Sequence, residues 1–563
     1  MALNFAKPHP DILSPEEFRR SLRGNDYGYN TDWYDEITRS TSYNVNQYLS
    51  IDGTNKNGYY GASVNYKRAN GLDIASRREE YSGRFVVEQR VLENRLKFNT
   101  SLSLRKVHEK YGDDGMFDTA LTLNPTLPVY NADGSYYQPT SPTGVRNPVG
   151  VLKGNDSNGD RIYLLGNLTA QWNILMLEHH NFNTSIDYSL QYNDYKSNWY
   201  TPTWSSQSYW DGKKGEANIH YQKWWTNRAE WLINYTWTIP EHELKFVGGY
   251  SWERSSWEQS YEYNENFTYN APSYQGIGSG IGLKDGTANM YAGRSESTLI
   301  GFFGRINYNW RDMLFVPASL RREGSTKFGK DKKWGNFPAA SIAWEATETP
   351  GLDGLKTAFQ SLKPRISYGV TGRSDFSAYM SEPTYNANGA YLMDGQWVTG
   401  YAPSANANPN LGWEKNKALN IGVDFEMLNS RLRGSIEYFD RRSDDLLYTY
   451  TAPQPPYVWD NILVNVGTTK NTGIEVALSY DVIKSKSWNW TTGVNYSYGT
   501  TKFTKLSNSI YKASYIDLYQ KPGVGTNEYF FRVQEGGKVV QFFYYEGGGP
   551  TIMAVVLLLW GVV

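Results

Sequence analysis

The sequence contains long segments in which apolar and polar residues alternate. In RLKFNTSLSLRK (95–106), an extended chain has one apolar and one polar face, because successive strand side chains point to opposite sides. The apolar face comprises Leu96, Phe98, Thr100, Leu102 and Leu104. The polar face comprises Lys97, Asn99, Ser101, Ser103 and Arg105. This pattern predicts a β-strand and leaves open whether its apolar face meets a protein core or lipid.

About sixteen segments show this alternation, and many of them are about nine to thirteen residues long. Further examples are residues 182–192, 229–237, 419–426 and 490–497. Strands of soluble proteins typically contain about 5–6 residues, whereas a strand that crosses a bilayer needs about 9–11. The length of the predicted strands therefore favours a membrane protein.

The predicted connections between these strands alternate between short and long. The short connections are 52–58, 91–94, 176–181, 239–243, 311–313, 428–431 and 482–487. The long connections are 67–80, 106–161, 196–222, 258–296, 322–336, 372–416 and 447–469. Outer-membrane barrels have short periplasmic turns and longer extracellular loops, although one further connection, 346–362, is longer than this rule predicts.

These two patterns predict an all-β fold, a transmembrane antiparallel β-barrel with about sixteen recognised strands. The apolar face of 95–106 is then expected to contact lipid, and the polar face to line a watery lumen. The sheet must close on itself, because hydrocarbon satisfies no free backbone hydrogen bond. Tryptophans near strand ends are expected to lie at the membrane interfaces. These are Trp237, Trp252, Trp310, Trp344 and Trp490.

The overall composition excludes several other classes of protein. Lys and Arg (56) balance Asp and Glu (57), so no nucleic-acid-binding surface is expected. Cysteine is absent, which excludes disulfides and thiolate metal sites. No apolar run approaches the ~18 residues of a membrane-spanning helix, and no signal peptide is recognised at the N-terminus. A mean hydropathy of −0.62 agrees with strands that are half polar.

No arrangement of catalytic or metal-binding residues is recognised, so no enzyme activity, cofactor or metal is predicted. His179 and His180 have no further partner at ligand spacing. The segment GNDSNGDR (154–161) resembles the start of a calcium loop but lacks the glycine at the sixth position and the glutamate at the twelfth. It is therefore interpreted as a solvated turn. Asp444 and Asp445 are adjacent carboxylates without an accompanying nucleophile.

Aromatic residues in the predicted loops indicate a site for a sugar-like ligand. Aromatic faces near amides and hydroxyls suit flat, weakly polar rings. We predict ligand contacts for Trp204, Tyr209, Trp210 and Trp397. The pair Trp224 and Trp225 is interpreted instead as part of the outer aromatic girdle.

Several longer stretches resemble the SusC/RagA-type TonB-dependent outer-membrane transporters. TDWYDEITRS (31–40) and the segment after it are similar to the family's junction between plug and barrel. LRREGSTKFGKDKKWGNFPAASIAW (320–344) is similar to a family signature. LKPRISYGVTG (362–372), residues 408–447 and VGTTKNTGIEVALSY (466–480) extend the resemblance. Past about residue 539 the family pattern ends.

The resemblance implies three parts of the chain. Residues 1–42 correspond to the end of a plug domain and its junction, 43–540 to a partial barrel, and 541–563 to an atypical C-terminal tail, as after a frameshift or truncation. Barrels of this family are plugged and contain about 22 strands. With about sixteen strands recognised, this chain alone is not expected to transport.

The resemblance also implies a function and partners. These are TonB-dependent uptake of a nutrient, mostly oligosaccharides and sometimes peptides, through the cell outer membrane, with energy from the TonB–ExbB–ExbD complex. The segment that would contact that complex is not recognised in this sequence. A SusD-like surface lipoprotein is expected over the long loops, and outer-membrane lipid around the strands. The alternative is a secreted β-rich protein that binds or cleaves glycans.

Overall fold

The computed structural model describes residues 26–139, 146–270, 273–507, 515–520 and 529–539, together with residues 16, 513 and 541. The predicted tail, apart from residue 541, and most of the predicted plug end therefore lie outside the described residues. The chain divides into two compact units. Unit 1 consists of Met1–Thr238 and Lys245–Gly304, and unit 2 of Ile239–Leu244 and Arg305–Val563.

Strands dominate the described residues. Numbered in chain order, they are β1 (Asn44–Asn55), β2 (Gly58–Asn70), β3 (Arg77–Val91), β4 (Leu96–Lys110), β5 (Asp156–Met176), β6 (His180–Thr201), β7 (Glu216–Ile239), β8 (His242–Glu265), β9 (Asn289–Trp310), β10 (Leu314–Ser325), β11 (Trp334–Trp344), β12 (Phe359–Arg373), β13 (Tyr385–Met393), β14 (Gln396–Pro403), β15 (Glu414–Met427), β16 (Leu432–Asp444), β17 (Leu447–Thr451), β18 (Asn461–Asn465), β19 (Thr468–Lys484), β20 (Asn489–Lys505), β21 (Tyr515–Gln520) and β22 (Tyr529–Gln534). The helices are α1 (Trp33–Ile37), α2 (Gly115–Thr122), α3 (Pro148–Gly154), α4 (Ser206–Asp211) and α5 (Gly282–Asp285), with 3-10 turns at Ser273–Ser279, Ala346–Glu348 and Asp353–Thr357.

Sixteen of these strands form one sheet, in the order β1 to β12, then β15, β16, β19 and β20. The other strands form three separate hairpins, β13–β14, β17–β18 and β21–β22. The sheet order follows the chain order, as successive antiparallel hairpins require. The structure thus confirms the all-β fold and the predicted number of sheet strands. The strands β1 and β20 form the two ends of the described sheet, so the expected closure into a barrel is not observed.

The alternation in β4 corresponds to two faces with different surroundings. β4 pairs along its whole length with β3 and with β5. Its apolar side chains stay open, since Phe98 is 37%, Leu102 47% and Leu104 52% exposed. These residues are therefore not buried between two stacked sheets, and the apolar face is free to contact lipid.

The long connections predicted in unit 1 are shorter in the structure, and one predicted turn lies within a strand. The predicted connection 67–80 is reduced to 71–76, because β2 and β3 extend further than the alternation shows. The prediction of a turn at 154–161 is wrong, since β5 begins at Asp156 and pairs with β4 and β6. Strand ends that extend beyond the hydrocarbon have water on both faces. Their hydropathy pattern therefore stops alternating although their pairing continues.

The principal hydrophobic cluster of unit 1 lies outside the strands. Trp33 and Ile37 of α1 are buried against residues of α2 and α3. Asp32 begins α1, and its carboxylate accepts hydrogen bonds from the backbone of Tyr34 and Asp35, the usual function of an N-cap aspartate. Arg39 then donates to three backbone carbonyls in the 71–76 connection. The predicted junction segment 31–40 is thus anchored to the loop end of unit 1.

Unit 2 repeats the two-faced strands and adds a packed aromatic cluster. Ile366 pairs with Ile421 across β12 and β15, and both are 46% exposed. In the loops, the Phe328 ring is fully buried, with its centroid 4.5 Å from the Trp413 ring. Gly329 permits this packing, because a Cβ there would lie 1.8 Å from the Pro409 carbonyl oxygen.

One connection at the short-turn end of unit 2 is long, as the sequence indicated. Residues 345–358 link β11 to β12 through two 3-10 turns. The Glu345 carboxylate, 8% exposed, accepts hydrogen bonds from Thr347 (2.6 Å), Ser361 (2.7 Å) and the Leu362 backbone N–H (2.8 Å). Burial alone would raise the pKa of Glu345, but these hydrogen bonds outweigh it, and the pKa lies below its ordinary value.

Candidate functional site

A row of six side chains crosses β2 to β7 on the polar face of unit 1. Each residue lies directly opposite the next in the antiparallel registers, so all six share one face. We name this set the polar-face row; it comprises Asn65, Ser82, Arg105, Tyr163, Asn193 and Trp224. All six line a cavity of about 880 Å³ in unit 1.

Arginine–tyrosine contacts hold the centre of this face. The Arg105 guanidinium lies 4.0 Å from the centroid of the Tyr163 ring, and that of Arg161 lies 4.2 Å from the Tyr195 ring. Arg161 Nη1 also donates to Tyr163 Oη at 2.9 Å. Such cation–π pairs keep positive charge at the face.

Carboxylates next to the row are already paired. Arg78 donates to Glu109 at 2.7 Å and to Glu80 at 3.0 Å. The Tyr111 hydroxyl donates to Glu109 at 3.0 Å and shares a hydrogen bond of 3.0 Å with Tyr195. Burial and the bond to Tyr195 raise the pKa of Tyr111 well above its ordinary value, so its phenol stays neutral.

Gly159 allows Tyr111 to take this position. A Cβ at Gly159 would lie 2.4 Å from Tyr111 Oη, so only glycine leaves room for the phenol beside β5. Gly159 belongs to the segment that the sequence suggested was a turn. The glycine therefore marks a close side-chain approach within a strand.

Three polar atoms of the row have no hydrogen-bond partner among the described residues. They are Asn65 Oδ1, Arg105 Nε and Asn193 Oδ1, and all three are buried. A buried polar atom without a partner costs about 1–3 kcal/mol. The same amide and guanidinium side chains line the cavity, where a ligand with hydroxyl groups would hydrogen-bond to them and the rings of Tyr163 and Trp224 would contact its apolar faces.

Unit 2 has a corresponding row with different chemistry. Each of its residues is likewise opposite the next. We name it the small-residue row; it comprises Ser319, Ala339, Gly369, Ala418, Arg441, Asn471 and Thr501. These residues line a cavity of about 740 Å³ in unit 2. Arg441 is its single large member, and its guanidinium lies 4.6 Å from the Phe439 ring centroid.

The predicted ligand-contact residues occupy separate loops and a hairpin. Trp204 in unit 1 is 48% exposed and stacks on Tyr136, with ring centroids 5.7 Å apart. Tyr209 and Trp210 belong to α4, and their side chains lie outside the described part of the structure. Trp397 in unit 2 is on β14 and is 74% exposed. None of these four belongs to the polar-face row, and their role stays a prediction.

The sequence analysis missed the polar-face row, and its interpretation of Trp224 is wrong. Trp224 and Trp225 are consecutive in β7 and so face opposite sides, which allows only Trp225 to join an outer girdle. Trp224 lies opposite Asn193 in the cavity. The strand alternation within KWWTNR (223–228) already indicated that the two tryptophans face opposite sides. The pairing of Arg105 with Tyr163 had no such local signal, since residues 111–155 separate their strands.

The described residues contain no candidate metal centre and no candidate membrane-spanning helix. No group of three or more His, Asp or Glu side chains there has the arrangement of a metal site. No helix within the same residues is both long enough and apolar enough to cross a bilayer.

Comparison with known proteins assigns the family. Residues 124–529 match the family model described as TonB dependent receptor-like, beta-barrel. The chain belongs to this family. TonB-dependent receptors are transporters and receptors rather than enzymes, and the family points to the outer membrane. The family assignment therefore favours the membrane interpretation of the exposed apolar strand faces over the secreted alternative.

Individual TonB-dependent receptors are similar over most of the chain. The receptor SusC of Bacteroides thetaiotaomicron is 26% identical over 555 residues, which is 92% of this chain and 53% of SusC. The receptor P3 of Formosa agariphila is 27% identical over 511 residues, 88% of this chain and 50% of P3. The solved RagAB peptide transporter has the same fold, with a TM-score of 0.72 at 20% identity, over 92% of this chain and 56% of that chain. The chain thus spans about half the length of these relatives.

Proposed function

We propose that the protein to which this chain belongs imports an oligosaccharide through the outer membrane in a TonB-dependent way. The observation that carries the proposal is the polar-face row, where amide and guanidinium side chains and aromatic rings line one cavity. Sugar rings present hydroxyls around their edge and C–H groups on their faces. Such a ligand matches both kinds of group on this face.

A peptide is the alternative ligand, and it differs from a neutral sugar in that it could supply a carboxylate to Arg105. No carboxylate among the described residues lies within 4 Å of the Arg105 guanidinium. An acidic side chain, a peptide C-terminus or an acidic sugar would each supply one. Stacking on Trp224 and Tyr163 favours the sugar, because ring faces are common to all sugars and rare among peptide side chains.

We propose that further residues and partners act in the same uptake. Trp204, Tyr209, Trp210 and Trp397 are proposed as first contacts for ligand in the loops. A SusD-like surface lipoprotein is proposed to cover the long-loop end, and the TonB–ExbB–ExbD complex to supply energy. Residues 1–42 are proposed as the plug junction and 43–540 as the partial barrel.

Consecutive tryptophans provide the test. Trp224→Ala removes the ring that belongs to the polar-face row, whereas Trp225→Ala removes the neighbouring ring, which alternation along β7 places on the opposite face although the residue also borders the cavity. In the full-length protein, we expect Trp224→Ala to weaken oligosaccharide binding about tenfold, measured by calorimetry in detergent, since a stacked aromatic contributes about 1–3 kcal/mol. Trp225→Ala should leave binding unchanged. Equal effects of the two substitutions would contradict the assignment of the site.

The class of nutrient is tested in cells. A strain that lacks the gene is grown on individual polysaccharides and on peptides, and then complemented with the wild-type gene or the Trp224→Ala variant. We expect loss of growth on one polysaccharide, restored by the wild type and only partly by the variant. A growth defect on peptides alone would show that the imported nutrient is a peptide and not an oligosaccharide.

A further inference from the structure

Five positively charged residues lie side by side across unit 2. Lys417 pairs with Arg442, Arg442 with Lys470, and Lys470 with Lys502 in successive antiparallel registers. Lys502 in turn forms a β-bridge with Lys538. We name these five residues the basic row. At about 4.8 Å between neighbouring strands, the row extends for about 19 Å.

The basic row faces the same side as the lipid-contacting residues. Lys417 and Ile421 are four residues apart on β15, so their side chains share a face. Ile421 is opposite Tyr438, and Tyr438 is opposite Ile474, with exposures of 46%, 42% and 47%. The basic row thus lies about 13 Å along the strands from an exposed apolar row, close to the start of β15 after a long connection.

The positive charge of the row is only partly neutralised. Asp444 binds Lys417 at 2.9 Å and Arg442 at 2.6 Å, and Asp440 binds Lys470 at 2.8 Å. Neither Lys502 nor Lys538 has a carboxylate within 4 Å among the described residues. Like charges directly opposite each other on neighbouring strands are destabilising. An anionic partner would therefore stabilise the row by compensating the charge that Asp440 and Asp444 leave.

Among the described residues of unit 1, the corresponding row at the polar end of the apolar face is not uniformly basic. The outward residues of successive strands there are Tyr66, Tyr81, Lys106, Ile162, Asp194 and Lys223. Cations in this set alternate with neutral or acidic residues. The basic row is thus a property of unit 2 and does not follow from the strand pattern alone.

We propose that the basic row binds phosphate groups of a phosphorylated lipid in the outer leaflet of the outer membrane. The orientation rests on the proposed function, in which the long connections face the cell exterior. The apolar residues next to the row would contact the acyl chains, while Lys and Arg donate charge-assisted hydrogen bonds to the phosphates. A soluble anion would lack the first contact, which is why the row is assigned to a lipid.

The test measures lipid that stays with the full-length protein after purification in mild detergent. Phosphorus analysis and mass spectrometry of the extracted lipid compare the wild type with the triple variant Lys470→Gln, Lys502→Gln, Lys538→Gln. Each cation near an anionic surface contributes a factor of about five in affinity. The triple variant should therefore retain less than a tenth of the phosphate of lipid A, the phosphorylated lipid of the outer leaflet. The matched control Lys106→Gln, Lys196→Gln, Lys223→Gln removes three outward cations from unit 1 and should retain it all.

A second variant acts in the opposite direction. Asp440→Asn frees Lys470 and should increase retained lipid A, which a variant with a general folding defect would not do. Equal retention in the wild type and the triple variant would overturn the proposal. The outer-leaflet assignment would be overturned if the wild type retained phospholipid but no lipid A, and if the triple variant retained less of that phospholipid. Because no transport is measured, these results are independent of whether the nutrient is a sugar.

Discussion

The polar-face row of unit 1 and the small-residue row of unit 2 are built by the same strand geometry and offer different chemistry. Both are continuous registers across antiparallel strands, and both line cavities of similar volume, about 880 and 740 Å³. Unit 1 presents Arg105, Tyr163 and Trp224, whereas unit 2 presents mainly Ser, Ala, Gly and Thr. Register decides which residues meet, and residue size decides whether the surface can bind a ligand.

The comparison suggests a division of tasks in uptake. Rings and guanidinium groups hold a ligand through many contacts, which favours binding in unit 1. Apart from Arg441 and Asn471, the side chains of the small-residue row have three heavy atoms or fewer and make few contacts, so a ligand that meets this row would be released easily. On the apolar side the two units do not differ in this way, since both leave aliphatic residues open to lipid.

The largest expected effect tests that shared lipid-facing side. Leu168→Lys in unit 1 and Ile421→Lys in unit 2 each place a charge on the apolar face. Both should lower the free energy of unfolding in lipid by about 2–4 kcal/mol. The adjacent polar-face substitutions Asn167→Lys and Asn420→Lys should change it little. Urea unfolding in vesicles measures all four, and a tolerated Ile421→Lys would mean that unit 2 does not face lipid there.

The next effect concerns a contact found only in unit 2. Glu345→Gln removes the charged acceptor of three hydrogen bonds in the 345–358 connection, which should cost about 1.5–3 kcal/mol at pH 7. The folded pKa of Glu345 is lowered, so its stabilisation is present above the unfolded value of about 4.3 and is lost as pH falls through the folded value. The difference between wild type and variant in urea unfolding should therefore shrink below about pH 4. A difference that stays constant with pH would assign the effect to packing.

Sequence patterns predicted the faces of the strands well and the rows poorly. Period-two alternation is a local property, so Leu96 to Leu104 could be assigned to one face without knowledge of any partner strand. A row depends on the register between strands, and a shift of two residues keeps every face but changes every neighbour. The Arg105–Tyr163 contact is set by such a register. The basic row was equally invisible, because Lys417 and Lys538 are far apart in the sequence.

The third prediction compares two arginines that stack on aromatic rings. Arg105→Ala in unit 1 leaves Asn65 and Asn193 but removes the cation over Tyr163, and it should weaken ligand binding about tenfold, or about 1.4 kcal/mol. Arg441→Ala in unit 2 removes a similar cation, 4.6 Å from the Phe439 ring, and should change binding less than twofold. Calorimetry with the same ligand measures both. A larger loss of affinity for Arg441→Ala than for Arg105→Ala would assign the ligand-binding surface to unit 2.

The smallest effects come from two glycines on the polar faces. At Gly369 in unit 2, a Cβ would meet only the Ala339 Cβ at 3.4 Å, an ordinary contact, and Gly369→Ala should raise stability by about 0.4–1 kcal/mol by restricting the unfolded chain. At Gly159 in unit 1, a Cβ would lie 2.4 Å from Tyr111 Oη, so Gly159→Ala displaces the phenol from Glu109 and Tyr195. Loss of these two hydrogen bonds should cancel the gain and lower stability by about 1 kcal/mol.

The double variant Gly159→Ala, Tyr111→Phe separates the two contributions. If the cost of Gly159→Ala comes from the phenol hydroxyl, removing that hydroxyl first should leave little further loss when the methyl group is added. Equal losses in both backgrounds would show that the added methyl strains β5 itself. In that case, unit 1 would differ from unit 2 in its backbone as well as in its side chains.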